Sequence, residues 1–363
     1  MAYPFSIGGI EIRNHELAQI LKKKHQIHFF CVKLWDGPDV IEREGVTYHG
    51  VCRYKKLHDF SGKRSLWEPL KFSLSIFRPL VTSHFDIVSV DTFPYFHCFS
   101  AFLAGKLSGN KTIFVWHGYL GDYWYEYLGL VRGLIAKMVE RTVTRLPVSA
   151  VSVSQTVRLK LSKGGLGSIV NYNGVREMVR KQVERTVDVI FVGRLCHQKN
   201  LPLLIDAVHC LKDHRVVSVW VVGNGPDMEE IKLMIEMKGL SEQFHFVGEI
   251  GHDEVRTYLE RSKMLVLTSR WEGFGIVVVE ANSCGVPVIT VDEELNAAKE
   301  LICPESGLVV PSDPGKLAEA IYYLLEDAES LHRLSGNALV ESKKYSWDRS
   351  AKELEDYYLE LKR

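Results

Sequence analysis

From about residue 85 onward the chain alternates short apolar runs with longer amphipathic ones. Asp86–Asp91, Thr112–Trp116 and Val148–Val153 read as strands, with helical patterns between them. The rhythm is plainer in the second half. Val187–Val192, Val216–Val222, Phe244–Val247, Met264–Thr268, Val286–Val291 and Leu308–Val310 are β-branched runs. Helical periodicity separates them at Leu201–Lys212, Asp227–Lys238, Asp253–Arg261, Ile276–Cys284 and Leu317–Glu326. Strands apolar on both faces, alternating with helices, form parallel βαβ units with right-handed crossovers. About twelve strands exceed one comfortable sheet, so the pattern predicts an α/β chain of two doubly wound domains rather than one barrel. The turn signal Asn173-Gly174 and the polar run Arg176 to Arg185 place the boundary between residues 1–174 and 175–345. A last helix, opening near Ser346 and Asp348 and ending at Leu361, carries the apolar stripe Trp347, Leu354, Tyr357, Tyr358 and Leu361. That stripe must pack on something.

Composition narrows the function. The 363 residues suit two domains of about 150 residues each. With 46% hydrophobic and 25% charged residues the chain is no disordered polymer, and a net charge of zero argues against a nucleic-acid binder. The zero hides an asymmetry. Residues 1–174 hold 22 Lys and Arg against 13 Asp and Glu, a net +9, which leaves −9 for residues 175–363. Seven scattered cysteines without a Cys-x-x-Cys pair read as free thiols of a reducing compartment. The charge-free stretch Thr92–Gly105 is shorter than the roughly 18 residues a membrane span needs. Met1-Ala2-Tyr3-Pro4 lacks the regions of a signal peptide. The expectation is a cytoplasmic protein, peripheral at most.

Two segments favour a membrane surface. Arg53–Arg78 interleaves seven cations with Trp67, Leu70, Phe72, Leu74, Ile76 and Phe77, of which Trp67, Phe72 and Phe77 would insert. Tyr123–Arg145 adds Trp124, Arg132, Lys137, Arg141 and Arg145. Basic amphipathic segments suit anionic lipid, and each reads equally as a solvated helix face.

Four glycine-bearing motifs are candidates for chemistry. Ser6-Ile7-Gly8-Gly9 precedes the helical pattern Ile12 to Lys24, where backbone N–H groups can approach an anion. Gly193 ends a strand and is followed by Arg194 and Lys199, cations that suit a diphosphate or simply a solvated loop. Val221-Val222-Gly223-Asn224-Gly225-Pro226 reads best as a tight turn. The strongest is Glu272-Gly273-Phe274-Gly275-Ile276-Val277-Val278-Val279-Glu280, two carboxylates eight positions apart around Gly-Phe-Gly. Glu280 stands in an apolar helix segment, an expensive place unless a partner such as a ribose diol bonds it. It also reads as the one wet face of that helix.

This last block resembles the Glu-x7-Glu motif of retaining family 4 glycosyltransferases. Further pieces follow in family order: Gly8-Gly9, Trp116-His117-Gly118, Val153-Ser154, Asn173-Gly174-Val175, Gly193-Arg194 with Lys199, Phe246-Val247-Gly248, Gly285-Val286-Pro287, Gly307–Pro311 and Tyr345-Ser346-Trp347. The resemblance implies the GT-B fold, two facing Rossmann-like domains, with the C-terminal helix 346–363 returning to the first. It implies that Arg194 and Lys199 hold a donor diphosphate, Glu280 its ribose and Glu272 a hydroxyl of the donor sugar. Gly8, Gly9, Gly193, Gly273, Phe274, Gly275 and Ile276 would line the donor site, Val247 would border the base, and His117 would lie beside the sugar. His117 reads also as a core histidine at a strand end.

Three departures stand out. The family begins with a strand before the Gly-Gly loop, whereas this chain begins almost at the loop, so its start lies upstream or the first sheet lacks a strand. Arg176 replaces a common Asp, and Glu293–Glu300 lacks a Gly-Gly pair. No Asp-x-Asp occurs, so no metal cofactor is expected. The resemblance implies a nucleotide-sugar donor and a lipid-linked or glycan acceptor. A nucleotide-sugar 2-epimerase and a non-catalytic nucleotide-sugar-binding protein stay open.

Overall fold

A computed structural model describes residues 2–6, 8–54, 67–176 and 183–362. Residues 55–66 of the basic stretch, with Lys55, Lys56, Lys63 and Arg64, and residues 177–182 of the polar linker lie outside these. The chain divides into two compact units, 1–174 with 347–363, and 175–346. Ser346, expected with the first domain, belongs to the second because its backbone bridges to Val175.

The first unit runs α1 Gly9–Leu21, β1 His28–Val32, β2 Val40–Arg43, β3 Val46–Cys52, α2 Trp67–Thr82, β4 Ile87–Asp91, α3 Phe96–Ser108 and β5 Lys111–Trp116. It continues with α4 Tyr123–Leu128, α5 Leu130–Val143, β6 Ser149–Ser152, α6 Gln155–Lys163 and β7 Ile169–Val170. Its strands form two sheets, not one. A three-stranded sheet has the order β1-β3-β2, and a parallel four-stranded sheet runs β4-β5-β6-β7. Among the described residues no strand joins β1 to β4. β2 and β3 form an antiparallel hairpin around the two-residue turn Glu44-Gly45, both at positive φ. The hydrophobic pattern predicts none of β1–β3: Glu42 and Arg43 interrupt β2, and Thr47 and His49 interrupt β3, while the apolar run Phe29–Val32 of β1 is only four residues long.

The second unit runs β8 Val187–Val192, α7 Leu201–Leu211, β9 Val219–Val222, α8 Met228–Met237, β10 Phe244–Gly248, α9 His252–Glu260 and β11 Ser262–Leu267. Next come β12 Trp271–Glu272, α10 Ile276–Ser283, β13 Val288–Val291, β14 Leu295–Asn296, β15 Gly307–Val310, α11 Pro314–Glu326 and α12 Ala328–Ser342. One six-stranded parallel sheet has the order β10-β9-β8-β11-β13-β15. Val189, Phe191, Val221, Val266 and Ile289 pack on Leu204, Ile205 and Ile321 as its core. Every run expected here is a strand, shifted by a few residues at the ends.

The C-terminal helix, α13 Trp347–Lys362, lies on the first unit against α1. Trp347 and Leu354 are buried, Tyr358 OH bonds Ser89 at 2.9 Å, and Glu355 pairs with Lys24 at 2.9 Å and His25 at 2.7 Å. The anchor is Arg13, buried to 1% exposure. It donates to Asn171 Oδ1 and Asn173 Oδ1, both at 2.6 Å, and to Asn171 O at 3.1 Å. Asn171 in turn donates to Ser350 O at 2.9 Å, which ties α1 and α13 to one segment. Burial lowers the guanidinium to about 10, opposed by the negative ends of Tyr358 and Asp91, so it stays charged at neutral pH.

All seven cysteines are free; Cys210 is exposed rather than buried. Of the side chains expected to insert into lipid, Trp67 is exposed, while Phe72 and Phe77 are partly buried. No described helix is long and apolar enough to cross a membrane. Arg13→Met removes three buried hydrogen bonds, leaving Asn171 Oδ1 only its bond from Ser350 Oγ at 3.1 Å, and should lower unfolding free energy by about 2–4 kcal/mol in urea titration. A loss below about 0.5 kcal/mol would show that the anchor is dispensable.

Candidate functional site

The sheet of the second unit reverses direction at β8. β9 and β10 extend to one side, and β11, β13 and β15 to the other. Loops leaving the carboxyl ends of strands at such a point diverge and open a crevice. Here those loops are residues 193–200, after β8, and 268–275, after β11. They hold most of the predicted site.

Lys199 ends the single 3₁₀ turn His197–Lys199, and its Nζ donates to Glu272 Oε1. Ser269 Oγ donates to the same oxygen at 2.7 Å. Glu272 is buried and Lys199 partly so. An ion pair held away from water is costly to half-remove, and it tolerates burial only when its atoms are hydrogen-bonded. The backbone supplies the rest. Arg270 N donates to Gln198 O at 2.9 Å, Gln198 Nε2 to Trp271 O at 2.9 Å, and Thr268 Oγ1 to Lys199 O at 3.0 Å. Arg194 leaves the same loop and is exposed.

Gly193 meets its neighbours backbone to backbone. Gly223, at φ +134°, follows β9, and a Cβ on it would stand 2.0 Å from Gly193 O. Gly223 N donates to Gly248 O at 2.8 Å, which brings the end of β10, with Val247, into the same row. The turn at 221–226 is therefore a packing turn that sets the floor of this edge.

Glu272 lies in β12, which pairs in parallel with β14, Glu272 opposite Asn296. Asn296 is fully buried; its amide donates to Thr290 Oγ1 at 3.0 Å and Val291 O at 2.9 Å, and its oxygen accepts Ala298 N at 3.1 Å. Gly275 begins α10 at φ +92°, where a Cβ would stand 2.7 Å from that of Ala298. Segment 293–300, although it lacks the family's glycine pair, is thus the wall on which the 272–275 loop rests. Gly273 and Ile276 are half-buried around the start of α10. The Phe274 ring is buried against Tyr345, 6.0 Å between centroids, so this predicted donor contact offers only its backbone.

Glu280 lies one turn into α10, half-buried, with Oε1 3.3 Å from His252 Nε2. The two carboxylates of the motif take different partners, Lys199 and His252. His252 opens α9, whose start is capped by Glu254: Gly251 N donates to Glu254 Oε2 at 3.0 Å and Glu254 N to Gly251 O at 2.9 Å. The Gly-x-x-Glu spacing marks that helix start and gives no sign of the histidine's contact. Arg176 comes within 3.8 Å of Asp253.

In the first unit, Gly8 caps α1 and Gly9 is its exposed first residue. His117 follows β5, and its Nε2 lies 2.7 Å from Asp91 Oδ1, at the end of β4. Asn14 of α1 donates to Asp91 Oδ2 at 2.6 Å. Burial pushes the Asp91 carboxyl up, but bonds from His117 and Asn14 and the charge of Arg13 outweigh it and leave it below 3.8. An ionised carboxylate only accepts, so His117 carries its proton on Nε2. Neither Asp91 nor Asn14 belongs to a motif; they were recognisable only once β4, β5 and α1 were adjacent.

Two family models tile the chain. Glycosyltransferase Family 4 matches residues 7–178, and Glycosyl transferases group 1 matches 176–340. An uncharacterized glycosyltransferase of Methanocaldococcus jannaschii is 26% identical over 374 residues, covering 99% of this chain and 96% of its own. Sucrose-phosphate synthase of Thermosynechococcus elongatus has a TM-score of 0.83 at 20% identity, over 98% of this chain and 94% of that one. HepE of Anabaena, solved with UDP-glucose, has a TM-score of 0.76 at 17% identity, over 97% and 96%. The two structures establish the GT-B fold, two Rossmann-like domains of mixed α/β architecture.

Because Asp91 is held below the ordinary carboxylate value, its contribution to stability is complete above pH 3.8 and is lost as pH falls through its folded value. Asp91→Asn should therefore cost about 1.5–3 kcal/mol at pH 7, and that gap should close as the pH drops below 3.8. Denaturant titrations across pH check this; a gap independent of pH would contradict it.

Proposed function

Because this chain belongs to the family 4, group 1 glycosyltransferases, we propose that it moves a hexosyl group from a UDP- or GDP-linked sugar to a lipid-linked or glycan acceptor, with retention and without a metal. The observation that carries this reading is the Lys199–Glu272 pair at the reversal of the second sheet, flanked by Arg194 and the start of α10. It combines cations and N–H groups for a diphosphate with carboxylates for hydroxyls.

Transfer breaks the bond from the anomeric carbon to the diphosphate oxygen, and negative charge grows on the departing group. Arg194, Lys199 and the first N–H groups of α10 would stabilise that charge without rearranging, the role a metal plays elsewhere. Ser269 and Lys199 both bond Glu272 Oε1, which leaves Oε2 to accept a sugar hydroxyl. Glu280 would accept the ribose hydroxyls, beside His252. His117, its ring oriented by Asp91, would position the sugar. This reading assigns Glu272 to a sugar hydroxyl and no described residue to nucleophilic attack, so the acceptor oxygen would enter from the side the phosphate leaves. The new bond forms at the anomeric carbon, and the acceptor's proton passes to the phosphate oxygen. The complex of HepE with UDP-glucose supports a nucleotide-sugar donor.

The test is incubation with UDP- and GDP-sugars, with and without extracted lipids and glycans. Product with the donor's anomeric configuration supports the reading, and epimerised free sugar would replace it. Turnover should survive EDTA; loss that Mn²⁺ restores would overturn the cation account. Glu280→Gln should weaken nucleotide binding by about 1.5–3 kcal/mol in calorimetry. Arg194→Ala should lower kcat more than it weakens binding, since it acts on charge that appears in the transition state.

A further inference from the structure

Helix α5 is built inside out for a soluble surface. Gly133, Glu140 and Val143 are buried against the unit, while Leu130, Val131, Leu134, Ile135 and Met138 are 48–78% exposed. At ~100° per residue these five fill one continuous arc of about 140°. Arg132 borders the arc on one side and Lys137 on the other, and Arg141 and Arg145 continue past its C-terminal end. Lys137 is bonded to Asp122; the three arginines are exposed. The helix has one carboxylate, Glu140, and it points inward, accepting Leu120 N at 2.9 Å, Gly121 N at 2.8 Å and Tyr95 OH at 2.7 Å. These bonds fix the helix to the loops after β5 and β4, so the apolar arc is held outward on a rigid support.

We propose that this face of α5 is a docking surface for an anionic phospholipid bilayer. The apolar arc would enter the boundary between headgroups and acyl chains, about 5–10 Å deep. The arginines would reach back to the lipid phosphates along their apolar stems. Charge complementarity selects this occupant over a second copy of the chain. A two-fold pairing of the face would set Arg132 and Arg141 against their own copies, with no exposed carboxylate on the helix to offset them. The surrounding half of the chain, at +9, favours the same partner. The inference deepens the proposed function by naming where a lipid-borne acceptor is met, and it rests on that reading only for its purpose.

The experiment is co-sedimentation of the full chain with vesicles of phosphatidylcholine alone or with phosphatidylglycerol, at 50 and 500 mM NaCl. Binding should need the anionic lipid and weaken with salt, because the Debye length falls from about 10 Å at 0.1 M toward 3 Å at 1 M. A salt-resistant remainder should persist through the apolar arc. Leu134→Ser with Ile135→Ser and Met138→Ser should remove that remainder and cut binding by about fivefold or more. Arg132→Ser with Arg141→Ser and Arg145→Ser should abolish the preference for anionic lipid. Both variants alter exposed positions and should keep the wild-type Tm and nucleotide affinity. A single Leu134→Trp should show blue-shifted fluorescence with anionic vesicles only. Wild-type protein that ignores anionic vesicles at 50 mM NaCl, or a serine variant that binds them unchanged, would overturn the surface. So would a dimer in light scattering that the serine variant abolishes without any vesicle binding. Nucleotide turnover that persists in those cases leaves the proposed function standing; vesicle binding without nucleotide binding would do the reverse.

Discussion

Lys199 and Glu272 meet where the second sheet reverses, and the architecture of that unit follows from keeping them there. Each leaves a different strand, so their contact requires the two loops to converge at a place where the fold drives loops apart. Convergence is enforced from three sides. The backbone bonds of Gln198 and Arg270 tie loop to loop, Gly193 and Gly223 touch without side chains between them, and Asn296 zips β14 onto Glu272 itself. A partly buried pair of opposite charges is a poor source of stability. Under the proposed function both charges would be in place, each held by the other, before a charged ligand arrives.

The first unit rests on a comparable economy in α1. One helix begins at Gly8-Gly9, buries Arg13 one turn later, and uses the next residue, Asn14, to hold Asp91. Asp91 fixes the His117 ring. The guanidinium that ties α13 in place also adds to the field that keeps Asp91 ionised. Docking of the C-terminal helix and orientation of the histidine are therefore not independent; both depend on where α1 sits.

What the sequence made legible is what repeats locally. Buried parallel strands are apolar on both faces, so the second sheet was readable strand by strand, as was the Glu-x7-Glu block between β11 and β13. β2 and β3 escaped because a sheet with a wet face mixes Glu42, Arg43 and His49 into their runs, and β1 because its apolar run, Phe29–Val32, is short and stands apart from the later alternation. The site residues that escaped were those defined by distant partners. Arg13 meets Asn171 and Asn173 across some 160 positions, and Asp91 meets His117 across 26. Nothing local marks a buried arginine in a helix, because burial is a property of what arrives from elsewhere. The two glutamates eight apart divide between elements, one in a short strand beside Lys199 and the other in a helix beside His252, a division that spacing alone does not reveal.

The charge asymmetry was visible as a number, but its use depends on where carboxylates go. In α5 the single anion points inward, where the loop after β5 presents the N–H groups of Leu120 and Gly121 and the loop after β4 presents the Tyr95 hydroxyl. Burial pushes the Glu140 carboxyl up, and those donors hold it partly down. Satisfying the interior in this way strips the outer face of negative charge. The remaining ionic groups of the helix are then all cations, set around the exposed apolar side chains Leu130, Val131, Leu134, Ile135 and Met138. Loop anchoring and surface character thus follow from one residue. A polar side chain at position 140 that left those donors unpaired would unsettle the loop bearing His117 as much as it would change the surface.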